Sequence, residues 1–215
     1  MTYIFQPDRH LLVEQIKKNS HYIKGKVLDV GAGHYSRYEK FFKAEKYIKM
    51  DINHSEHVDI VGSVDNIPME DNSVDSIVCT QVFEHIRYID KSASELFRVL
   101  KKGGYVILTV PQLNELHEEP HDYFRYTKYG LKSVFENVGF KIVEMDQRGS
   151  FFSSTAQMII RFLSDYFDLY NRKILGKVLG KFIYLFGMLS IRLDNIVKHS
   201  ANKKHAIGWC CVLKK

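Results

Sequence analysis

Residues 118–127, EEPHDYFRYT, bring a histidine, an aspartate, an arginine and three aromatic rings into one short stretch just after His117. Histidine takes up a proton near neutral pH. A guanidinium grips a carboxylate or phosphate through paired hydrogen bonds. Aromatic rings stack on a sugar or another flat acceptor. A second histidine beside an acid stands at Glu84-His85. A third group is VLDVGAG, residues 27–33, with Asp51 placed 20 residues after Gly31. Gly31 and Gly33 permit a tight turn and close approach of a ligand to the backbone, and an acid at the end of the next strand accepts hydrogen bonds from ribose hydroxyls. A glycine turn alone is a weak signal. Here the dinucleotide pattern also fails to close, because Ser36 stands where glycine or alanine is wanted. That argues against a pyrophosphate cradle and against NAD.

These groups need elements to hold them. KVLDVGAG reads as a buried strand entering the glycine turn, SRYEKFFKA as a helix, and KYIKMDIN as a second strand ending in Asp51. VDIVGSVDNIP carries a short strand and a polar loop. VDSIVCTQVF is a strand, DKSASELFRVL a helix stopped by KKGG, and YVILTVP a strand ended by Pro111. TKYGLKSVFENVGF reads as a helix with Thr127 as N-cap and Gly139 at its C-terminal end. KIVEMDQRG and AIGWCCVLKK read as two late strands that pair antiparallel at one edge. Residues 8–23 form an opening helix. Two further helices fall at about 154–170 and 173–197 by periodicity. Strands alternating with helices imply a mostly parallel sheet covered on both faces, with ligands at the C-terminal strand ends.

VLDVGAG, Asp51, VDNIPMEDNSVDSIVCTQVFEHI and LFRVLKKGGYVILTVP occur in one order and register. Together they resemble the class I S-adenosylmethionine-dependent methyltransferases of the small-molecule, type 11-like kind. The resemblance covers about residues 25–147 and the closing strand. Tyr35 departs from it, standing where many members carry a third glycine. It implies an α/β, Rossmann-like three-layer sandwich: a mostly parallel seven-stranded sheet with an antiparallel edge strand, plus a helical insertion before the last strand. It also implies S-adenosylmethionine as cofactor. Asp29, Gly31, Ala32 and Gly33 would form the loop beside it, Asp51 and Ile52 the ribose end, and Asp65, Asn66 and Ile67 the adenine end, with Gln81 facing it from the fourth strand. The acceptor site would follow the fifth strand, with His117, Tyr123, Arg125 and Tyr126 as contacts and His121 or His85 as base. Phe124 is expected to pack the loop, and Arg125 pairing with Asp122 is the structural alternative to gripping the acceptor. HDYFRYT leading into a helix is also similar to enzymes of polysaccharide and cell-envelope biosynthesis.

The rest of the chain bounds this reading. Its 215 residues, 45% hydrophobic and 26% charged, suit a single domain over 1–215, with an N-terminal helical segment at 1–24 and a helical insertion at 153–204. Cys79, Cys210 and Cys211 have no metal-binding or disulfide spacing, so reduced thiols, no metal and a cytoplasmic location are expected. The opening residues do not read as a secretory signal, and no stretch reaches the roughly 20 apolar residues of a spanning helix. The net charge of +6 is uneven: residues 171–215 hold ten Lys/Arg and one acid, Asp194. Lys173, Lys177 and Lys181 form one stripe of a helix whose later part is apolar on nearly every side. That insertion serves as a lid, a homodimer interface or, through 173–198, a peripheral membrane contact. The expected acceptor is a small molecule, a sugar or a lipid-linked group. Nucleic acid is not expected, because the tail's aromatics sit like core residues and are not interleaved with arginine. The competing functions are an RNA methyltransferase and a non-catalytic scaffold that keeps the fold.

Overall fold

The computed structural model describes residues 2–33 and 37–215, so the readings placed on Tyr35 and Ser36 lie outside the described residues. The chain divides into two compact units. One comprises residues 15–111, 116–146 and 209–215, the other 1–14, 112–115 and 147–208.

The first unit is built on the sheet. Its strands are β1 (Lys24–Val30), β2 (Lys43–Asp51), β3 (Ile60–Val61), β4 (Val74–Thr80), β5 (Leu100–Pro111), β6 (Lys141–Arg148) and β7 (Gly208–Lys214), in spatial order β3-β2-β1-β4-β5-β7-β6. The β2–β3, β1–β2, β1–β4 and β4–β5 pairs are parallel. β7 runs antiparallel to β5, its final Lys215 exchanging backbone hydrogen bonds with Gly103 and Gly104. The central strands are near-continuous apolar runs because both faces are covered: Val27, Leu28, Ile77, Val78, Val106 and Ile107 are each 0% exposed. Helices α1 (Pro7–Asn19), α2 (Ile89–Val99) and α3 (Lys128–Val138) flank the sheet. Thr127 caps α3 by accepting the Gly130 N–H at 3.1 Å, and Gly139 closes it at φ 110°. The seven-stranded, mostly parallel sheet with its antiparallel edge pair is the expected one.

Two expectations fail locally. SRYEKFFKA forms no α-helix among its described residues. Only a single 3-10 turn spans Glu39–Phe41, and β2 already begins at Lys43. Phe42 instead stacks on Tyr47 of that strand, 6.3 Å between ring centroids. KKGG does not separate a helix from a later strand either. β5 starts at Leu100, and the pairing with β4 jumps from Val74–Leu100 to Ser76–Tyr105, so the glycines sit in an irregularity of the strand itself. A Cβ on Gly104 would lie 2.7 Å from the Asp75 carbonyl oxygen, which is why glycine stands there.

The second unit packs the start of α1 with α4 (Phe151–Tyr166) and α5 (Lys173–Ile196) around Ile4, Phe5, Ala156, Ile160, Leu169 and Ile183. Asp194 caps α4, accepting the N–H groups of Ser150, Phe152 and Ser153 at 2.9–3.1 Å. Several large apolar residues of α4 face outward: Phe162 is 63% and Tyr166 71% exposed. The buried side of α4 is instead Ser153, Ala156, Gln157 and Ile160. In α5 the buried positions include Gly176 and Gly187. Ile174, Val178, Phe182, Leu185 and Leu189 form an exposed stripe. By length and composition α5 is apolar enough to cross a membrane, which corrects the expectation that no such stretch exists. A single helix of this kind is weak grounds for a span.

Candidate active site

The parallel register assembles the site. Val30 pairs with Met50 on one side and Cys79 on the other, and Cys79 pairs with Leu108. The residues that follow each of these therefore share one edge: Gly31 after β1, Asp51 on β2, Gln81 after β4, and the loop beyond Pro111 after β5.

At this edge the glycine loop is held before any ligand arrives. The Gly31 and Ala32 N–H groups donate to the Met50 carbonyl at 2.9 and 3.1 Å. The Gly33 N–H donates to Asp51 Oδ2 and the Asn53 N–H to Asp51 Oδ1, both at 2.9 Å. A carboxylate has about four acceptor sites, so two remain for ribose hydroxyls. Gly31 lies at φ 72°, and a Cβ there would sit 2.3 Å from Val82 Cγ2. Gly33, at φ 61°, has open space where its Cβ would point, leaving bare backbone for a ligand to approach. Next to Asp51, the Ile52 side chain is 68% exposed, an apolar surface suited to a base or sugar face. These features fit S-adenosylmethionine.

The neighbouring contacts are equally specific. Asp29 is buried and accepts from Tyr47 OH at 2.9 Å. Asp65 is partly exposed. It accepts from the Ser63 hydroxyl, with Lys91 Nζ at 3.8 Å. Asn66 is exposed, but Ile67 is 2% exposed and packs in the core, so its side chain does not offer a free face to the base. The Ile67 N–H donates to Glu95 Oε2 at 2.8 Å, and Glu95 is held by Arg98, which keeps its carboxyl below the usual glutamate range. Gln81 takes φ 55°, and its Nε2 donates to Thr109 Oγ1 at 3.2 Å, tying the ends of β4 and β5. Tyr47, Glu95 and Thr109 were not foreseen. Each acts across 18 to 28 residues, and no local motif marks it.

Beyond β5 the histidines are arranged differently from the order of the sequence. Asp122, the sequence neighbour of His121, does not orient it. Its side chain, 1% exposed, makes a bidentate pair with Arg125, both bonds at 2.6 Å, and lies 3.4 Å from His117 Nδ1. It also accepts the His117 N–H at 3.1 Å. Arg125 pulls the Asp122 pKa down to about 2. The Arg125 guanidinium thus braces the loop through Asp122, the structural alternative to gripping the acceptor. Tyr126 also braces the loop. It is 5% exposed, donates to the Phe83 carbonyl at 2.8 Å, and burial pushes its pKa up. The Tyr123 and Phe124 N–H groups both donate to the Glu84 carbonyl. Tyr123 stays partly open, with Arg87 5.2 Å from its ring centroid.

His121 is exposed, with Nδ1 3.0 Å from Tyr123 OH. Its carbonyl oxygen lies 2.7 Å from His85 Nδ1. A carbonyl only accepts, so His85 donates from Nδ1, and in the neutral ring the lone pair lies on Nε2. His117 meets His85 edge to face, ring centroids 4.9 Å apart, and the fully buried Glu84 side chain has Oε1 4.0 Å from His85 Nε2. Of the predicted residues, Gly31, Ala32, Gly33 and Asp51 are joined directly, as are His85, His117 and His121 with Tyr123.

Residues 28–108 match the family model described as a methyltransferase domain. An uncharacterized protein of Methanocaldococcus jannaschii is 28% identical over 133 residues, covering 59% of this chain and 59% of its own. A probable S-adenosylmethionine-dependent methyltransferase of Mycolicibacterium smegmatis is 36% identical over 66 residues, 31% of this chain and 23% of its own. The chain thus spans less than two thirds of the length of either curated relative. Among solved structures, the cyclase SpnF superposes with a TM-score of 0.62 over 97% of this chain and 81% of its own, at 18% identity, a likeness of fold.

Proposed function

We propose that this chain, which carries a class I S-adenosylmethionine-dependent methyltransferase domain, transfers a methyl group to an acceptor held by the loop at 116–127. When bound, the cofactor supplies an electrophilic methyl group on a sulfonium, whose leaving group is neutral. The protein's own task is then to align the acceptor lone pair, exclude water and remove a proton where the acceptor is a hydroxyl. Asp51 and the Gly31–Gly33 backbone would hold the ribose end, and Asp65 would accept from the adenine amino group. His85 is the better base than His121, because its Nδ1 proton is fixed by a carbonyl and its Nε2 lone pair is free to receive another. His117 is held to the same task by Asp122.

The observation that carries this reading is the shared strand edge. It sets the Asp51-tied glycine loop and the His85–His117 pair at the ends of adjacent parallel strands. Calorimetric titration with S-adenosylmethionine tests it. Asp51→Ala is expected to weaken binding by about 1.5–3 kcal/mol, the value of hydrogen bonds to a charged group. No binding at millimolar cofactor, or equal affinity in the variant, refutes the site. Binding without turnover on any acceptor favours the scaffold alternative.

One observation favours a lipid-linked acceptor over a free sugar. The exposed stripe of α5 is apolar, Lys173, Lys177 and Lys181 lie beside it, and no acid occurs in the helix before Asp194. That combination matches an anionic bilayer surface. Sedimentation with phosphatidylglycerol vesicles should carry the protein down, and Phe182→Asp with Leu185→Asp should release it. Equal sedimentation of both proteins, or of neither, removes the lipid reading.

A further inference from the structure

Glu84, His85 and His117 each present a ligand atom within 4.8 Å of the others. We infer that this trio binds one divalent first-row transition ion at the acceptor end of the site. Two imidazoles and a carboxylate are a donor set for Zn²⁺, Mn²⁺ or Fe²⁺, and a fourth position stays open for water or an acceptor oxygen.

Three features make the trio a built site and not a chance meeting of polar groups. First, the His85 proton lies on Nδ1, against the His121 carbonyl at 2.7 Å, so Nε2 faces Glu84 Oε1, 4.0 Å away, as a lone pair. Second, His117 Nδ1 faces Asp122 Oδ2 at 3.4 Å, and Asp122 is itself locked by Arg125. A carboxylate behind one nitrogen of an imidazole is how metal-binding histidines are commonly oriented, with the other nitrogen left to the ion. Third, the Glu84 side chain is 0% exposed and its Oε1 lies 4.0 Å from His85 Nε2, so an ion held there would be shielded from water on that side. Ligand atoms around one ion at 2.0–2.2 Å sit about 3–4 Å apart, so closure needs a side-chain shift of about 1 Å.

The binding claim stands by itself. The role of the ion rests on the methyl-transfer reading. With the ion bound, His85 and His117 would serve as ligands and not as base, and a coordinated hydroxyl acceptor would become more acidic and give its proton to water. This departs from the expectation of no metal drawn from the cysteines, because the ligands are histidine and glutamate from two separate segments.

The test uses the full chain, stripped with EDTA, dialysed, and titrated calorimetrically with ZnCl₂, MnCl₂ or CoCl₂. One ion per chain is expected for at least one of them, with bands of bound Co²⁺ in the visible spectrum. His85→Ala and His117→Ala should each weaken binding at least tenfold, and Asp122→Asn, acting through His117, by about 10-fold or more. His117 is partly exposed on a loop, so its variant tests the site even where Glu84→Gln fails to fold. No saturable binding of any of the three ions overturns the site, as does binding that survives both histidine substitutions. S-adenosylmethionine affinity is measured on the same samples. Cofactor binding without metal sinks this inference alone. Metal binding without cofactor sinks the methyltransferase reading and leaves the site standing.

Discussion

Gly31 is the position where sequence, fold and site meet most tightly, and replacing it by alanine gives a result with two separable parts. At φ 72° an L-residue takes the left-handed region, which costs about 1–2 kcal/mol. The new Cβ would also lie 2.3 Å from Val82 Cγ2, well inside contact distance. Val82 is β-branched and stiff about χ1, so relief requires movement of backbone at the end of β4. Overpacking of this kind costs about 1–3 kcal/mol. Gly31→Ala should therefore lower unfolding stability by about 2–5 kcal/mol, the two terms together. It should weaken cofactor binding as well, because the Gly31 and Ala32 N–H groups lose their alignment on Met50. Val82→Ala in the same background removes the methyl that clashes but not the backbone strain. The double variant should recover about 1–3 kcal/mol relative to Gly31→Ala after the cost of Val82→Ala alone is subtracted. Urea unfolding of the four proteins measures this cycle. A coupling energy near zero would falsify the contact, and a Gly31→Ala protein as stable as the parent would refute both terms.

Three further outcomes follow from the same geometry. Asp122→Asn sets an amide NH₂ against the Arg125 donors; it should lower turnover and make the 116–127 loop more open to protease, with cofactor affinity unchanged. Intact protease resistance and full activity would show the pair to be incidental. Tyr126→Phe removes the donor to a buried carbonyl and should destabilise by about 1–3 kcal/mol in urea unfolding, and a change below about 0.5 kcal/mol would contradict the bracing role. Glu95 has a depressed pKa through Arg98 and then the Ile67 N–H, so the folded state holds its proton less readily than the unfolded chain. Its contribution is present above the ordinary glutamate range and is lost as pH falls through the folded value. Glu95→Gln should flatten the acid side of a melting-temperature profile, and an unchanged profile would count against it.

The parts of the site that the sequence disclosed are those set by one short segment. The glycine turn, Asp51 at a strand end, the Thr127 cap and the Gly139 terminus each follow from residue types at fixed offsets. What it hid depends on chain reversal. His121 and Asp122 are adjacent in sequence and seemed a ready pair, yet Asp122 turns to His117 and Arg125. A turn with Glu118 at φ 56° lies between His117 and Asp122, and spacing alone does not show it. The same limit applies to Arg125 and Tyr126, whose types suit either ligand or scaffold until burial decides. SRYEKFFKA was misread because Phe41 and Phe42 satisfy a helical spacing equally well as a turn leading into a strand. In α4 and α5 the apolar positions were found, but beside Gln157, Ile160 and Ile183 the buried side is mostly alanine, serine and glycine. Small residues leave little trace in a hydrophobic pattern, although they are what lets helices approach closely.

The double tie of the glycine loop, Gly31 and Ala32 on the Met50 carbonyl and Gly33 on Asp51, bears on how the proposed methyl transfer would end. These bonds hold Gly31, Ala32 and Gly33 from within the chain, so on that reading the cofactor is recognised through its ribose and adenine contacts. The demethylated product, S-adenosylhomocysteine, keeps the same ribose and the same base. The features at Asp51, Ile52 and Asp65 cannot tell it from the substrate. On the proposed methyl-transfer reading the protein should hold this by-product about as firmly as its methyl donor, so sustained turnover would depend on the by-product being removed.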